Sequence, residues 1–163
     1  MTAMTIDHLS NGRLVLGVGV SGPQIVEGWY GQPWGKPLER LRDYIGIMRK
    51  VIAREAPVSH EGTEISLPYT GPGATGLGKP LKIINHPVRS DIPIWWASLM
   101  GLSVTATAQY ANGWLPIFFS PERYREAFGA SIDAGFAKAG KGKSLENFDI
   151  APTVTVIVGD DVE

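Results

Sequence analysis

Gly17-Val18-Gly19-Val20-Ser21-Gly22 has the G-x-G-x-x-G spacing with which a strand-to-helix turn lets backbone approach a dinucleotide pyrophosphate. A Rossmann unit also needs a helix opening in that loop and an acidic residue at the end of the next strand, about 20 residues on. The acidic residues at that distance, Glu39 and Asp43, fall inside a helical pattern instead. The remaining readings are glycines placed for strand packing, or a strand end that faces a cofactor. Gly73-Ala74-Thr75-Gly76-Leu77-Gly78-Lys79 spells most of a Walker A loop, but Pro80 stands where Ser or Thr would hold magnesium and no apolar strand precedes it. It reads as a surface loop or as a lid. Trp96-Ala97-Ser98-Leu99-Met100-Gly101-Leu102-Ser103 runs from a strand end into a helix N-terminus, where unpaired amides and the helix dipole favour an anion such as phosphate. Ala97 and Ser98 are small enough for a flat ring or a phosphate to reach the backbone; the plainer alternative is an N-cap made by Ser103.

Other chemistry is excluded or weakly supported. The chain has no cysteine, hence no disulfide, zinc-thiolate site or thiol nucleophile. His8, His60 and His86 show no metal-ligand spacing and are expected to be solvated. No carboxylate pair or nucleophile elbow stands out, and no catalytic residue is assigned; Gln24 and Glu27 lie just past a strand end without a defined role. Trp29, Tyr30 and Trp34 could line a pocket or pack beneath a helix. A net charge of -1 with mixed signs gives no electrostatic reason to expect nucleic acid or an anionic membrane as partner, leaving a small-molecule substrate. With 44% hydrophobic residues over 163 positions, no basic-apolar leader and no bilayer-length apolar run, the expectation is a folded cytoplasmic chain.

The elements that must position these groups follow from periodicity. Leu14 to Val20 is a continuous apolar run after the Asn11-Gly12 turn signal and is expected as a strand buried on both faces. Leu38, Leu41, Ile45, Met48 and Ile52 form one helical stripe, with Pro37 in the first turn and Pro57 beyond the last. Residues 58–91 read as an insertion opening with a hairpin, Val58-Ser59-His60 and Ile65-Ser66-Leu67 around Glu61-Gly62. A strand at Ile92 to Ala97, a small-residue helix at Ser103 to Ala111 and a strand at Trp114 to Phe119 follow. Ser120 is then expected as N-cap, with Pro121 at the first helical position and Tyr124, Phe128, Ile132 and Phe136 four apart, ending near Gly140. Ile150 to Val158 closes the chain as a β-rich run. Strands alternating with helices imply a parallel sheet, either doubly wound or a stretch of a (β/α)8 barrel; periodicity leaves both open.

Asp7-His8-Leu9-Ser10-Asn11-Gly12-Arg13 resembles the L-D-x-L-S-x-G-R turn of the bacterial luciferase-like family, with the glycine-rich strand Leu14 to Gly19 after it. Ser21 to Trp29, Tyr69 to Gly73 and Ile92 to Ser98 resemble an actinobacterial branch assigned to the deazaflavin coenzyme F420, and Ala111-Asn112-Gly113-Trp114 resembles that branch's A-D-G. The resemblance implies a TIM barrel with an insertion, covering about strands 4 to 7 in a single partial domain over residues 1–163. It implies oxidoreductase chemistry, a hydride passed between F420, or FMN in flavin-using monooxygenase relatives, and a small organic substrate. By position it implies Gly19, Val20 and Ser21 near the coenzyme, and Ala97, Ser98, Leu99, Met100 and Gly101 around its phosphate; many relatives have glycine where Leu99 and Met100 stand. The family's first three strands have no counterpart, so the chain is expected to be too short for a whole enzyme and to form a homo-oligomer or depend on missing segments. The competing expectations are a catalytically inactive fragment that retains the phosphate loop, and an NAD(P)-binding Rossmann domain.

Overall fold

The computed structural model describes residues 1–140 and 142–159. They form two compact units, Met1–Ile94 and the residues from Trp95 onward.

The first unit holds α1 (Thr2–Leu9), β1 (Leu16–Val18), α2 (Pro23–Gly28) and α3 (Pro37–Ala53). Helix α3 starts at Pro37, whose missing N–H costs nothing there, and ends where Arg54 turns left-handed at φ 54°. Its stripe is buried as expected through Leu41, Ile45 and Ile52, each contributing about 1.5–3 kcal/mol in removed apolar surface. Met4, Ile52 and Ile92 form a core against which Leu14, Leu16 and Ile83 pack. The strand expected from Leu14 to Val20 is three residues long and is covered on one face only. Leu14, Leu16, Val18 and Val20 are half-buried, while Val15, Gly17 and Gly19 between them are exposed. Leu16 N–H donates to Pro93 O at 2.9 Å, and Pro93, lacking an N–H, cannot return a ladder bond.

The Asp7 carboxylate is buried and accepts from Arg89 Nη2 at 2.8 Å, Arg89 Nε at 3.1 Å and Leu14 N–H at 3.1 Å. This clasp ties the last turn of α1 to the entry of β1 and to residue 89. Arg89, working against burial and helped by the Leu14 amide, holds the Asp7 carboxyl below its ordinary value. The hairpin is present, with His60 N–H to Leu67 O at 3.0 Å and Leu67 N–H to His60 O at 2.8 Å.

The second unit holds α4 (Gly101–Tyr110), β3 (Gly113–Leu115), α5 (Tyr124–Ala139) and β4 (Asp149–Ile150), with β2 (Ile94–Ala97) leading into it. β2, β3 and β4 are parallel neighbours, Trp96 opposite Trp114 and Trp114 opposite Ile150. Val104, Ala108, Trp114, Ile132 and Phe148 form the core, and Tyr124, Phe128 and Phe136 of the expected stripe pack on it. Gly135 lets α5 approach α4: a Cβ there would lie 2.5 Å from Ala108 Cβ and 2.5 Å from Thr105 O.

Further expected boundaries are corrected: β2 starts at Ile94 rather than Ile92, and α4 runs Gly101–Tyr110 rather than from Ser103 to Ala111. Strand β3 stops at Leu115 because Pro116 cannot donate to a ladder, and Phe118 beyond it is left-handed at φ 55° and 97% exposed. Helix α5 begins at Tyr124 rather than Pro121. Residues 120–123 form a turn in which Tyr124 N–H reaches Ser120 O at 2.9 Å, while Ser120 Oγ bonds Glu122 and caps nothing. The β-rich run keeps only Asp149–Ile150; Pro152 interrupts it, and Val154, Val156, Ile157 and Val158 are exposed.

Candidate functional site

In the first unit a cavity of about 580 Å³ opens beside the C-terminal end of β1. Val18, Gly19, Val20 and Ser21 form one wall, with Ser21 in a left-handed conformation at φ 62° that re-aims the chain into α2. Leu41 and Tyr44 of α3 form a second wall, and Ile65 of the hairpin, with Tyr30, lines the rest. Of the three aromatics considered in this stretch, Tyr30 thus reaches the cavity, whereas Trp29 is 79% exposed. Arg40 also lines it, but its Nη2 is engaged by Trp34 O at 3.0 Å, Pro33 O at 3.1 Å and Glu64 Oε2 at 3.5 Å.

The hairpin is held by Asp43. Its carboxylate is buried on the inner side of α3, where Oδ2 accepts from Glu64 N–H at 2.8 Å and Ile65 N–H at 3.1 Å. His60 Nε2 lies 3.4 Å from Oδ1, with a side chain only 15% exposed, so the expectation that this histidine is solvated is corrected. His8 and His86 are exposed as expected, with His8 Nε2 lying 2.8 Å from His86 O. Burial by itself raises the Asp43 carboxyl, but the two amides and His60 outweigh it and hold the group below its ordinary value. Gly62 fits against this carboxylate, since a Cβ there would fall 2.3 Å from Asp43 Oδ2.

These contacts also dispose of the nucleotide motifs. Strand, glycine loop and helix α2 do follow one another at Gly17 to Gly22, but α2 has six residues and Asp43 binds the hairpin from within a helix rather than a ribose from a strand end. Gly73 to Lys79 opens no helix. Glu27 Oε1 accepts Trp34 N–H at 3.2 Å, a loop-fastening role.

In the second unit the segment Ala97 to Gly101 joins β2 to α4. Ser98 turns inward: its Oγ lies 2.8 Å from Thr107 Oγ1, which donates to Ser103 O at 2.9 Å, and its carbonyl accepts from Trp114 Nε1 at 3.0 Å. Ala97, Leu99, Met100 and Gly101 face outward. Ser103 is not the N-cap but a first-turn residue; its Oγ accepts Met100 N–H at 3.1 Å and donates to Met100 O at 2.7 Å. The first amides of α4, at Gly101 and Leu102, have no intrahelical acceptor, which suits an anion. What this loop can offer a phosphate is therefore backbone N–H, with Ser98, Thr107 and Trp114 fixing the backbone from behind. Thr107 and Trp114 were not singled out from the sequence, where each looks like an ordinary core residue; Asp43 had one signal, a carboxylate lying between Leu41 and Ile45 on the buried stripe.

The chain matches the model of the family described as luciferase-like monooxygenase over residues 1–163. It belongs to that family. Among curated relatives, this luciferase-like chain is 52% identical over 161 residues to a Mycobacterium tuberculosis H37Rv protein provisionally named coenzyme F420-dependent oxidoreductase Rv3520c, covering 99% of the chain and 46% of that protein. It is 32% identical to the 5,10-methylenetetrahydromethanopterin reductase of Archaeoglobus fulgidus, over 96% of the chain and 42% of the reductase. The chain thus spans less than half the length of these relatives. In fold it resembles an F420-dependent secondary alcohol dehydrogenase solved with an F420-acetone adduct, at TM-score 0.73 and 14% identity over 93% of this chain and 42% of that one. It also resembles the coenzyme F420-dependent tetrahydromethanopterin reductase of Methanopyrus kandleri, at TM-score 0.72 and 22% identity over 92% and 43%. The fold class expected from the sequence, a stretch of a luciferase-like (β/α)8 barrel, is the one these likenesses support, and the Rossmann alternative ends with it. Among the described residues no helix is long and apolar enough to cross a membrane.

Proposed function

We propose that this luciferase-like chain supplies coenzyme-binding elements of an oxidoreductase that uses coenzyme F420 to act on a small organic substrate. The observation that carries this reading is the 52% identity, over 99% of the chain, to the mycobacterial relative named for F420. The residues fit such a group. Ala97 and Gly101 add no bulk beside the backbone, no carboxylate stands in residues 97–101, and the leading amides of α4 are donors suited to a phosphate. Gly19, Val20 and Ser21 leave room beside their backbone for a flat ring, at a strand C-terminal end where barrel enzymes place their chemistry.

When bound, a deazaflavin ring supplies a hydride donor or acceptor. The protein's part is binding and orientation. In the second unit, residues 97–101 would hold the phosphate through N–H groups that Trp114 and Thr107 keep in place by their bonds to Ser98. In the first unit, taken by itself, Gly19 to Ser21 would border the ring, and the open cavity beside them, lined by Leu41, Tyr44 and Ile65, would receive substrate.

A carboxylate introduced at the helix start tests the phosphate assignment. Gly101→Asp has room, since a Cβ there would meet only Ser131 Oγ at 3.4 Å. It is expected to weaken F420 binding about tenfold or more, with an unchanged melting temperature. Unchanged affinity in the folded variant would remove residues 97–101 from the coenzyme site.

A further inference from the structure

The cavity beside β1 has a chemical character of its own. Its walls are mainly aliphatic, with Val18, Val20, Val26, Leu41 and Ile65 prominent among them. The polar side chains that join them, Ser21, Tyr30, Gln32 and Tyr44, are neutral hydrogen-bonding groups. Its cation, Arg40, is turned to two backbone carbonyls and balanced by Glu64. An anionic substrate would have to compete with Glu64 and two backbone carbonyls for Arg40, and burying an unpaired charge is costly.

The side of the cavity formed by the hairpin is fixed rather than loose. Ile65 is part of its lining, and the Ile65 and Glu64 amides are the groups that the buried Asp43 carboxylate binds. With Gly62 fitted against the same carboxylate and His60 beside it, the hairpin tip has little freedom to shift without breaking bonds to α3.

We infer that this cavity receives an uncharged, mainly hydrocarbon portion of the substrate, and that Ile65 sets the size admitted while Asp43 acts as a positioning residue that holds Ile65 in the wall. Calling the occupant a substrate rests on the oxidoreductase reading; the preference for neutral, size-limited ligands does not. One missing or added methylene at such a wall changes affinity by about 10- to 200-fold, enough to make a single isoleucine decisive.

The test is ligand-observed NMR on the 163-residue chain with cyclohexanol, 4-tert-butylcyclohexanol and cyclohexanecarboxylate as probes. Wild type is expected to bind cyclohexanol and not the carboxylate. Ile65→Trp should weaken cyclohexanol about tenfold, and Ile65→Ala should shift preference towards the tert-butyl compound. Asp43→Asn should speed hydrogen exchange at the Glu64 and Ile65 amides and blur the size preference, an effect that a merely stabilising carboxylate would not have. Equal binding of the carboxylate, or a size preference indifferent to both Ile65 variants, overturns the inference. The first comparison needs no variant, so it stands even if a substitution fails to fold. An F420 titration of the same wild-type sample reports separately on the oxidoreductase reading: loss of coenzyme binding with the alcohol preference intact would sink that reading and leave the cavity's selectivity standing.

Discussion

Asp43 shows how one residue type, placed against expectation, organises a site. A carboxylate on the buried stripe of a helix must be satisfied, and the hairpin amides satisfy it. Asp7 does the same at the other end of the unit with Arg89. Both groups sit below the ordinary carboxylate value of 3.8, so the unfolded chain binds protons first as pH falls. Their contribution to stability is therefore fully present above that value and is lost as pH drops through the lower folded values. Urea unfolding midpoints should accordingly hold steady from neutral pH to about 5 and fall below about 4, with a smaller fall in Asp43→Asn. A midpoint that rises on acidification would reverse the sign of this account. At Gly135 the relevant force is steric: Gly135→Ala pushes a methyl group into Ala108 and Thr105, and a loss of about 1–3 kcal/mol in unfolding free energy is expected by denaturant titration. The sequence signalled that Asp43 lies on the buried stripe but not its partners, and it gave no sign of the Gly135 contact, because a helix pattern reports which face is buried but not which groups come to meet it.

At the scale of elements, long periodic segments were legible and short strands were not. Helices α3 and α5 carry complete apolar stripes, and both appear where the spacing of Leu41, Ile45 and Ile52 and of Phe128, Ile132 and Phe136 places them. Strand ends were misjudged at prolines: Pro93, Pro116 and Pro152 remove ladder donors inside apolar runs that look continuous in sequence. Helix α2 escaped notice because six residues are too few to show a period. The loop from β2 to α4 was recognised as an anion-favouring strand-to-helix junction, but its hydroxyl at Ser98 turned out to face Thr107. Thr107→Val should therefore leave the loop's backbone less fixed. Its expected signature is weaker coenzyme binding together with faster amide exchange at residues 98–101, while Ser98→Ala, which removes the other half of the same pair, should resemble it. Different behaviour of the two variants would mean that the pair does not act as a unit.

For the whole chain, the family was legible because its motifs are spread along the sequence, from Asp7 to Gly12 at one end to Ala111 to Trp114 further on. The coenzyme contacts were legible only by position, because loop residues such as Leu99 and Met100 carry no periodic signal. Exposed Val154, Val156, Ile157 and Val158 form an apolar stretch of the kind that recruits another chain or segment. We therefore expect the isolated chain to melt at a temperature that depends on its concentration; a concentration-independent monomer melt would contradict this. The central claim, that this chain carries coenzyme-binding elements suited to F420, is tested most directly by titrating the purified chain with coenzyme F420 and, under identical conditions, with FMN, following coenzyme fluorescence. Saturable binding of F420 in preference to FMN is the predicted result; a folded sample that binds neither would contradict the claim.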